Sequence, residues 1–174
     1  MAYTIKGTGI VSTTDFHSVT WTGKTKAGNS CVITLANAIN MGNVDWTFAE
    51  KDDVVAQIEM TASYSNTHHM VSSASDYEEP WTISYTNGGS DQAADEIILG
   101  AGVFAIDGTN VALTRGGGSF SVEREFRQIN ADGDRGPVKD RVVIDASTAK
   151  LTLNALTFLT SMNKVFAGIS STTN

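Results

Sequence analysis

Between Val54 and Ser63 the chain reads VVAQIEMTAS, with apolar and polar positions in alternation. Val54, Ala56, Ile58, Met60 and Ala62 fall on one side, and Gln57, Glu59, Thr61 and Ser63 on the other. A period of two marks a half-buried antiparallel strand. The same signal predicts strands at 4–11, 17–23, 30–36, 44–49, 81–86, 102–107, 110–114, 119–127, 138–145 and 149–157. Asp107-Gly108, set between two short apolar runs, predicts a tight hairpin. Many short strands with turn signals between them point to an all-β sandwich or barrel. One segment departs from the pattern. In FLTSMNKVFAGI, Phe158, Met162, Val165, Phe166 and Ile169 recur at helical spacing and Gly168 supplies a stop, which predicts a short flanking amphipathic helix at about 158–167. A faint echo links ITLANAINMGNVDWTF (33–48) to LTLNALTFLTSMNKVF (151–166), a sign either of two related halves or of chance likeness between strands. Two polar loops interrupt the strands, at 65–79 and 86–96, and Gly88-Gly89-Ser90 in the second has the composition of a flexible linker.

Length and composition narrow the class. With 174 residues, 41% of them hydrophobic, the chain suits a single domain over 1–174 with its own core. Net charge is −7, and the acid excess is greatest in residues 1–87, where nine Asp/Glu face four Lys/Arg. That balance disfavours adhesion to nucleic acid, though not its passage nearby. Cys31 is the single cysteine, so no intramolecular disulfide or thiolate cluster can form, and its apolar setting favours a small buried hydrophobe. No apolar run reaches the ~18 residues of a membrane helix, and MAYTIKGTG lacks the hydrophobic segment of a signal peptide. The expectation is a soluble protein made in a cytoplasm.

Residues 116–141, GGGSFSVEREFRQINADGDRGPVKDR, hold the densest candidate chemistry. Gly116-Gly117-Gly118 resembles a phosphate cradle, but such a loop needs a helix after it, and here a strand pattern follows with no GK[ST]. A bend between strands fits better. Asn130, Asp132 and Asp134 offer oxygen ligands, but no distal Glu follows and Pro137 ends the loop. A tight connection built on Gly133, Gly136 and Asx side chains is the expectation. His68-His69 are adjacent in a Ser-rich loop, a poor arrangement for one metal ion, and His17 stands alone before a strand. Nothing marks any serine as a nucleophile. No catalytic residue, metal or cofactor is therefore expected, and the chain is read as a non-enzyme. All five arginines, Arg115, Arg124, Arg127, Arg135 and Arg141, fall within 115–141, interleaved with Glu123, Glu125, Asp132, Asp134 and Asp140. Such alternation fits a solvated strand face, or contacts between subunits in which charge sets register.

These residues also carry a resemblance. The segment GVFAIDGTNVALTRGGGSFSVEREFRQINADGDRGPVKDRVVIDASTAKLTLNAL (102–156), with GGGSFSVEREFR and ADGDRGPVK as its specific parts, resembles the N-terminal half of tailed-phage major tail tube proteins. Residues 19–64, together with EEPWTISY, are similar to the C-terminal half of that family. The order is inverted, with 1–87 resembling the family's C-terminal half and 91–174 its N-terminal half. The resemblance thus implies a circular permutation, with old termini joined through Gly88–Ser90 and new ones opened between Asn174 and Ala2. Because GGS is a common laboratory linker, engineering is favoured over a natural rearrangement. The resemblance further implies a rolled antiparallel sandwich or barrel and hexameric rings stacked into a DNA conduit. The partners it implies are other copies of the chain and other tail proteins, with DNA only as passing cargo, in a virion tail. It implies no catalytic residues. Arg115, Gly116, Gly117, Gly118, Glu123, Arg124, Glu125, Arg127, Asp132, Gly133, Asp134, Arg135, Gly136 and Pro137 carry over only as conformational or assembly elements. Tethering the old termini puts ring stacking in question and leaves a monomer as the other expected state. From a different class, a carbohydrate- or ligand-binding β-sandwich would use Trp21, Trp46 and Trp81 as a stacking platform, which requires them exposed.

Overall fold

The computed structural model describes residues 3–47, 55–65, 79–86, 98–136, 138–139, 141–156 and 164–173. Among these residues ten strands run in order: β1 Tyr3–Gly7, β2 His17–Thr25, β3 Ser30–Ala38, β4 Asp45–Thr47, β5 Val55–Thr61, β6 Trp81–Tyr85, β7 Ile98–Ile106, β8 Thr109–Gln128, β9 Val142–Ala155 and β10 Ile169–Thr173. Eight of them form one antiparallel sheet in the order β4-β5-β9-β8-β7-β2-β3-β6, and β1 pairs with β10 in a separate two-stranded ribbon. The fold is all-β and sandwich-like.

Period-two alternation explains the core. On β5, Ala56, Ile58 and Met60 are buried, as is Ala62 just beyond it. On β9, Ala149, Leu151, Leu153 and Ala155 turn the same way, and Ile58 sits opposite Leu153 in the ladder. From the other wing come Val19 and Trp21 of β2, Leu35 of β3 and Phe104 and Ile106 of β7. The wings meet because the sheet curls: Ile39 and Thr61, just past β3 and at the end of β5, exchange two backbone hydrogen bonds of 2.9 Å. That bridge, with Ser63 N–H donating to Ala36 O at 3.4 Å, draws the wings together while β4 and β6 stay at the margins and the sheet stays open.

Local chemistry fixes the turns. Between β2 and β3, Gly28 takes a left-handed φ of +89° and its N–H donates to Thr25 O at 2.9 Å, which reverses the chain within a few residues. Asp107-Gly108 makes the predicted hairpin, with φ of +49° and +73° at its two residues.

Several expectations change. The strands predicted at 110–114 and 119–127 are one strand, β8, running straight through the glycines, and those at 138–145 and 149–157 are one strand, β9. Between Thr114 and Gly118, β8 advances four positions while β9 advances two, from Ala155 to Leu153. The glycines are a bulge inside a continuous strand, a device that turns a strand without ending it. Similarly, β9 begins only at Val142, because Arg141 N–H donates to Val138 O at 3.2 Å and closes a turn there. The strand predicted at 4–11 ends at Gly7. Of the helix predicted at 158–167, positions 158–163 lie outside the described residues. Lys164–Ala167 form a short turn in which Val165 is buried.

Candidate assembly interface

The glycine corner decides where β8 goes. Up to Leu113, β8 pairs with β7; from Thr114 onward it pairs with β9. Thr114 Oγ1 anchors the changeover, accepting from Gly102 N and donating to Gly102 O, each at 3.0 Å. Gly117 takes φ +90°. At Gly118 a Cβ would lie 2.5 Å from Thr152 O and 2.8 Å from Leu153 Cδ2, so the two strands approach more closely than any side chain permits. Arg115 and Gly116 lie on β8 in this changeover.

Beyond the corner, β8 and β9 continue as a two-stranded arm. Phe120 and Val122 are half-buried against the core, and Arg124 and Phe126 continue the same face outward. Phe126 is opposite Ile144, and Gln128 opposite Val142. Phe126, Ile144 and Val142 are exposed, at 64%, 46% and 50%. The core-facing stripe therefore runs on past the core and is exposed, and apolar surface in such a row marks a contact site. The other face carries Glu123, Glu125 and Arg127, all exposed. Arg127 makes a two-pronged pair with Asp145, Nε to Oδ2 at 2.8 Å and Nη2 to Oδ1 at 3.1 Å. Its guanidinium holds the Asp145 carboxyl below the usual carboxylate range. Asp145 reaches it because β9 bulges there, with Glu125 opposite Ala146 but Phe126 opposite Ile144.

The arm's root is tied across the sandwich to β6. The Trp81 and Phe120 rings lie 5.6 Å apart at 59°, and the Arg124 guanidinium sits 5.6 Å from the Trp81 ring centre, within the range of a cation–π contact. Arg124 Nη2 also reaches Glu79 Oε1 at 3.4 Å, and Tyr64 OH donates to Glu79 Oε2 at 3.3 Å. Partial burial, and then the Glu79 charge, push the Tyr64 hydroxyl's pKa up.

At the arm's tip, the segment read as a turn is one. Asp134 Oδ2 accepts from Ala131 N at 2.7 Å and from Arg141 Nη1 at 2.8 Å, and Asp134 N–H donates to Ala131 O. The carboxylate that a calcium loop would aim at an ion is spent on its own backbone. Gly133 and Gly136 take φ of +95° and +148°. Asp132 and Arg135 are exposed, and Pro137 and Asp140 lie outside the described residues.

A cluster not anticipated from the sequence joins three distant segments. Asp107 Oδ2 meets His17 Nδ1 at 2.8 Å and Lys164 Nζ at 3.2 Å, while its Oδ1 accepts from Ser18 N at 3.0 Å. Asp107-Gly108 was legible as a turn, but its partners lie 90 and 57 positions away, and no local spacing reports them. Partial burial alone would raise the Asp107 carboxyl's pKa. Hydrogen bonds from Lys164, Ser18 and His17 outweigh it and hold the group below its usual range. A group depressed on folding stabilises the fold above its unfolded pKa and loses that contribution as pH falls through the folded value. Asp107→Asn keeps the Ser18 bond and loses the charge. It is expected to cost about 0.5–1 kcal/mol at pH 7, discounted because the carboxylate is part-exposed. Urea midpoints of wild type and variant should then converge as pH falls below about 4.

Trp21 is buried beneath Gly23 and Gly102, whose absent Cβ atoms leave room for its indole. Buried in this way, it cannot serve a stacking platform. Trp81 is half-buried and engaged by Phe120 and Arg124, and Trp46 lies on β4. Cys31 is fully buried, and burial raises its thiol pKa, as expected of a packing residue. His68-His69 and Gly88–Ser90 lie outside the described residues. Among the described residues, no helix is long and apolar enough to cross a membrane. Comparison with family models, curated proteins and solved structures found no match to this chain.

Proposed function

We propose that this chain is a structural subunit of a tail-tube type, whose sheet margins join those of neighbouring copies into a ring around a conduit for DNA. The observation that carries the reading is the open sheet. β6 is a marginal strand of sequence WTISY with no charge, proline or bulge inside it, and Thr82 to Tyr85 are exposed. Soluble proteins ordinarily guard such a margin. β4, at the other end of the sheet, is only three residues long and begins with Asp45. Two margins at opposite ends of one open sheet are the geometry that head-to-tail closure satisfies, since each copy offers one end to the next. The excess of acid, net −7, suits a wall past which DNA moves without adhering.

The permuted order enters the same proposal. Tyr3–Gly7 pairs antiparallel with Ile169–Thr173, Tyr3 opposite Thr173. That is the arrangement expected if these strands were once joined by a turn, and it supports reading 91–174 as the original leading half, with Gly88–Ser90 as an introduced joint. Negative-stain microscopy and sedimentation test the function. A chain restored to the family's order, 91–174 ahead of 1–87, is expected to form rings or stacked tubes. If it sediments only as single subunits, the proposal fails.

A further inference from the structure

We propose that the outer edge of β8 pairs with the same edge of a second copy of this chain, antiparallel about a two-fold axis, with Phe126 facing the partner's Phe126. β8 leaves the β7 ladder after Leu113, and from Gly118 to Gln128 only its β9 side is paired among the described residues. Its other side presents unused backbone donors and acceptors along a straight strand, and Glu123 through Arg127 are all exposed.

Within the fully exposed run from Glu123 to Arg127, the charges select the register. In a two-fold antiparallel pair, directly opposite residues lie on one face, so the axis passes through a residue. Like charges placed opposite one another destabilise the pair. An axis at Glu123, Glu125 or Arg127 sets that charge against itself. An axis at Arg124 does the same and also sets Glu123 against Glu125. An axis at Phe126 instead places Glu125 opposite the partner's Arg127 twice over, Arg124 opposite Gln128 and Glu123 opposite Ile129. No like charges meet, and the two Phe126 rings come together on the apolar face that already carries Ile144 and Val142.

The arm is prepared for this. Arg127 is held in place by Asp145 on the β9 side, leaving its β8 side to receive a second carboxylate. Glu125 has no ion pair among the described residues, and the partner's Arg127 supplies one. Nucleic acid is a poor rival occupant, because Glu123, Glu125 and Asp145 offset the arm's own arginines. The contact is independent of the ring reading, which uses β4 and β6.

The test is a charge exchange between two variants. Glu125→Lys alone sets Lys against Arg twice, and Arg127→Glu alone sets Glu against Glu twice. Each is expected to weaken self-association at least tenfold, so that sedimentation moves from twice the 18.5 kDa chain mass toward once. Mixed together, the two variants regain both attractive pairs, Lys with Glu and Arg with Glu, and are expected to form a heterodimer near wild-type strength. A folding defect in either variant cannot produce that recovery. Phe126→Cys fixes the register: the two thiols would lie about 5 Å apart between Cα atoms and should oxidise to a linked dimer. Arg127→Cys places its two thiols roughly 8 Å apart along the strands and should not. Cys31 is buried and does not compete. A monomeric wild type, a mixture that stays monomeric, or equal cross-linking at 126 and 127 overturns the proposal. So does cross-linking of Phe126→Cys to a Ser84→Cys chain in preference to itself, which would assign the arm to the ring margin at β6. Rings that survive in Glu125→Lys while the 126–126 link is lost keep the two readings separate.

Discussion

Gly118→Ala is expected to lower stability by about 3 kcal/mol, at the upper end of what overpacking costs. Its Cβ would lie 2.5 Å from Thr152 O, a backbone atom, and 2.8 Å from Leu153 Cδ2, and the neighbouring Leu153 side chain belongs to the core. Relief requires β8 and β9 to part where their ladder resumes after the bulge, the position that aims the arm. Gly100→Ala is the matched comparison. It lies on β7, has no left-handed φ and has nothing within 4 Å of an added Cβ, so it should be neutral or slightly stabilising through a less free unfolded chain. Denaturant midpoints of the two variants decide the matter. Equal midpoints would mean that the glycine corner is loosely packed and that the arm's direction is set elsewhere.

Phe104→Ala is expected to cost about 3–5 kcal/mol, the range for removing a buried aromatic ring. Phe104 is fully buried, opposite Trp21 on β2 and Ala112 on β8, so the cavity would open between three strands that cannot easily collapse. Phe126→Ala removes the same side chain from the same strand system at an exposed site and should change the subunit's own stability by no more than about 0.5 kcal/mol. The contrast separates an aromatic that holds the fold from one that the fold presents. If Phe126→Ala were as damaging as Phe104→Ala, the arm would be part of the core, and its apolar stripe would be no surface for a partner.

The alternation on β5 and β9 was readable in the sequence because each strand buries one face, and burial writes itself into every second residue. The hairpin at Asp107-Gly108 was readable because left-handed backbone demands those residue types. The continuity of β8 through Gly116–Gly118 was not. Three glycines in a row erase the alternation, and a bulge looks like a break when the partner strand is unseen. The Asp107 cluster was equally hidden, since His17 and Lys164 approach it only once three segments have been brought together. The arm falls between these cases. Its charges stood out, but whether they flank an apolar stripe or oppose one another depends on the register with β9, including the extra residue at Asp145. The sequence showed the ingredients of that surface, and only the pairing showed which of them share a side.

The order of the eight-stranded sheet has a consequence for how the chain can be divided. β7, β8 and β9, all from the second half, sit side by side in the middle, with β4 and β5 on one flank and β2, β3 and β6 on the other. The first half taken alone is two flanks with no shared ladder among the described residues, joined by contacts such as the Ile39–Thr61 bridge and Ser63 N–H to Ala36 O, and the second half is a centre with both flanks missing. Neither fragment is a module, and each is the template on which the other completes itself. A break in the segment between them would leave two pieces that regain structure only by finding each other.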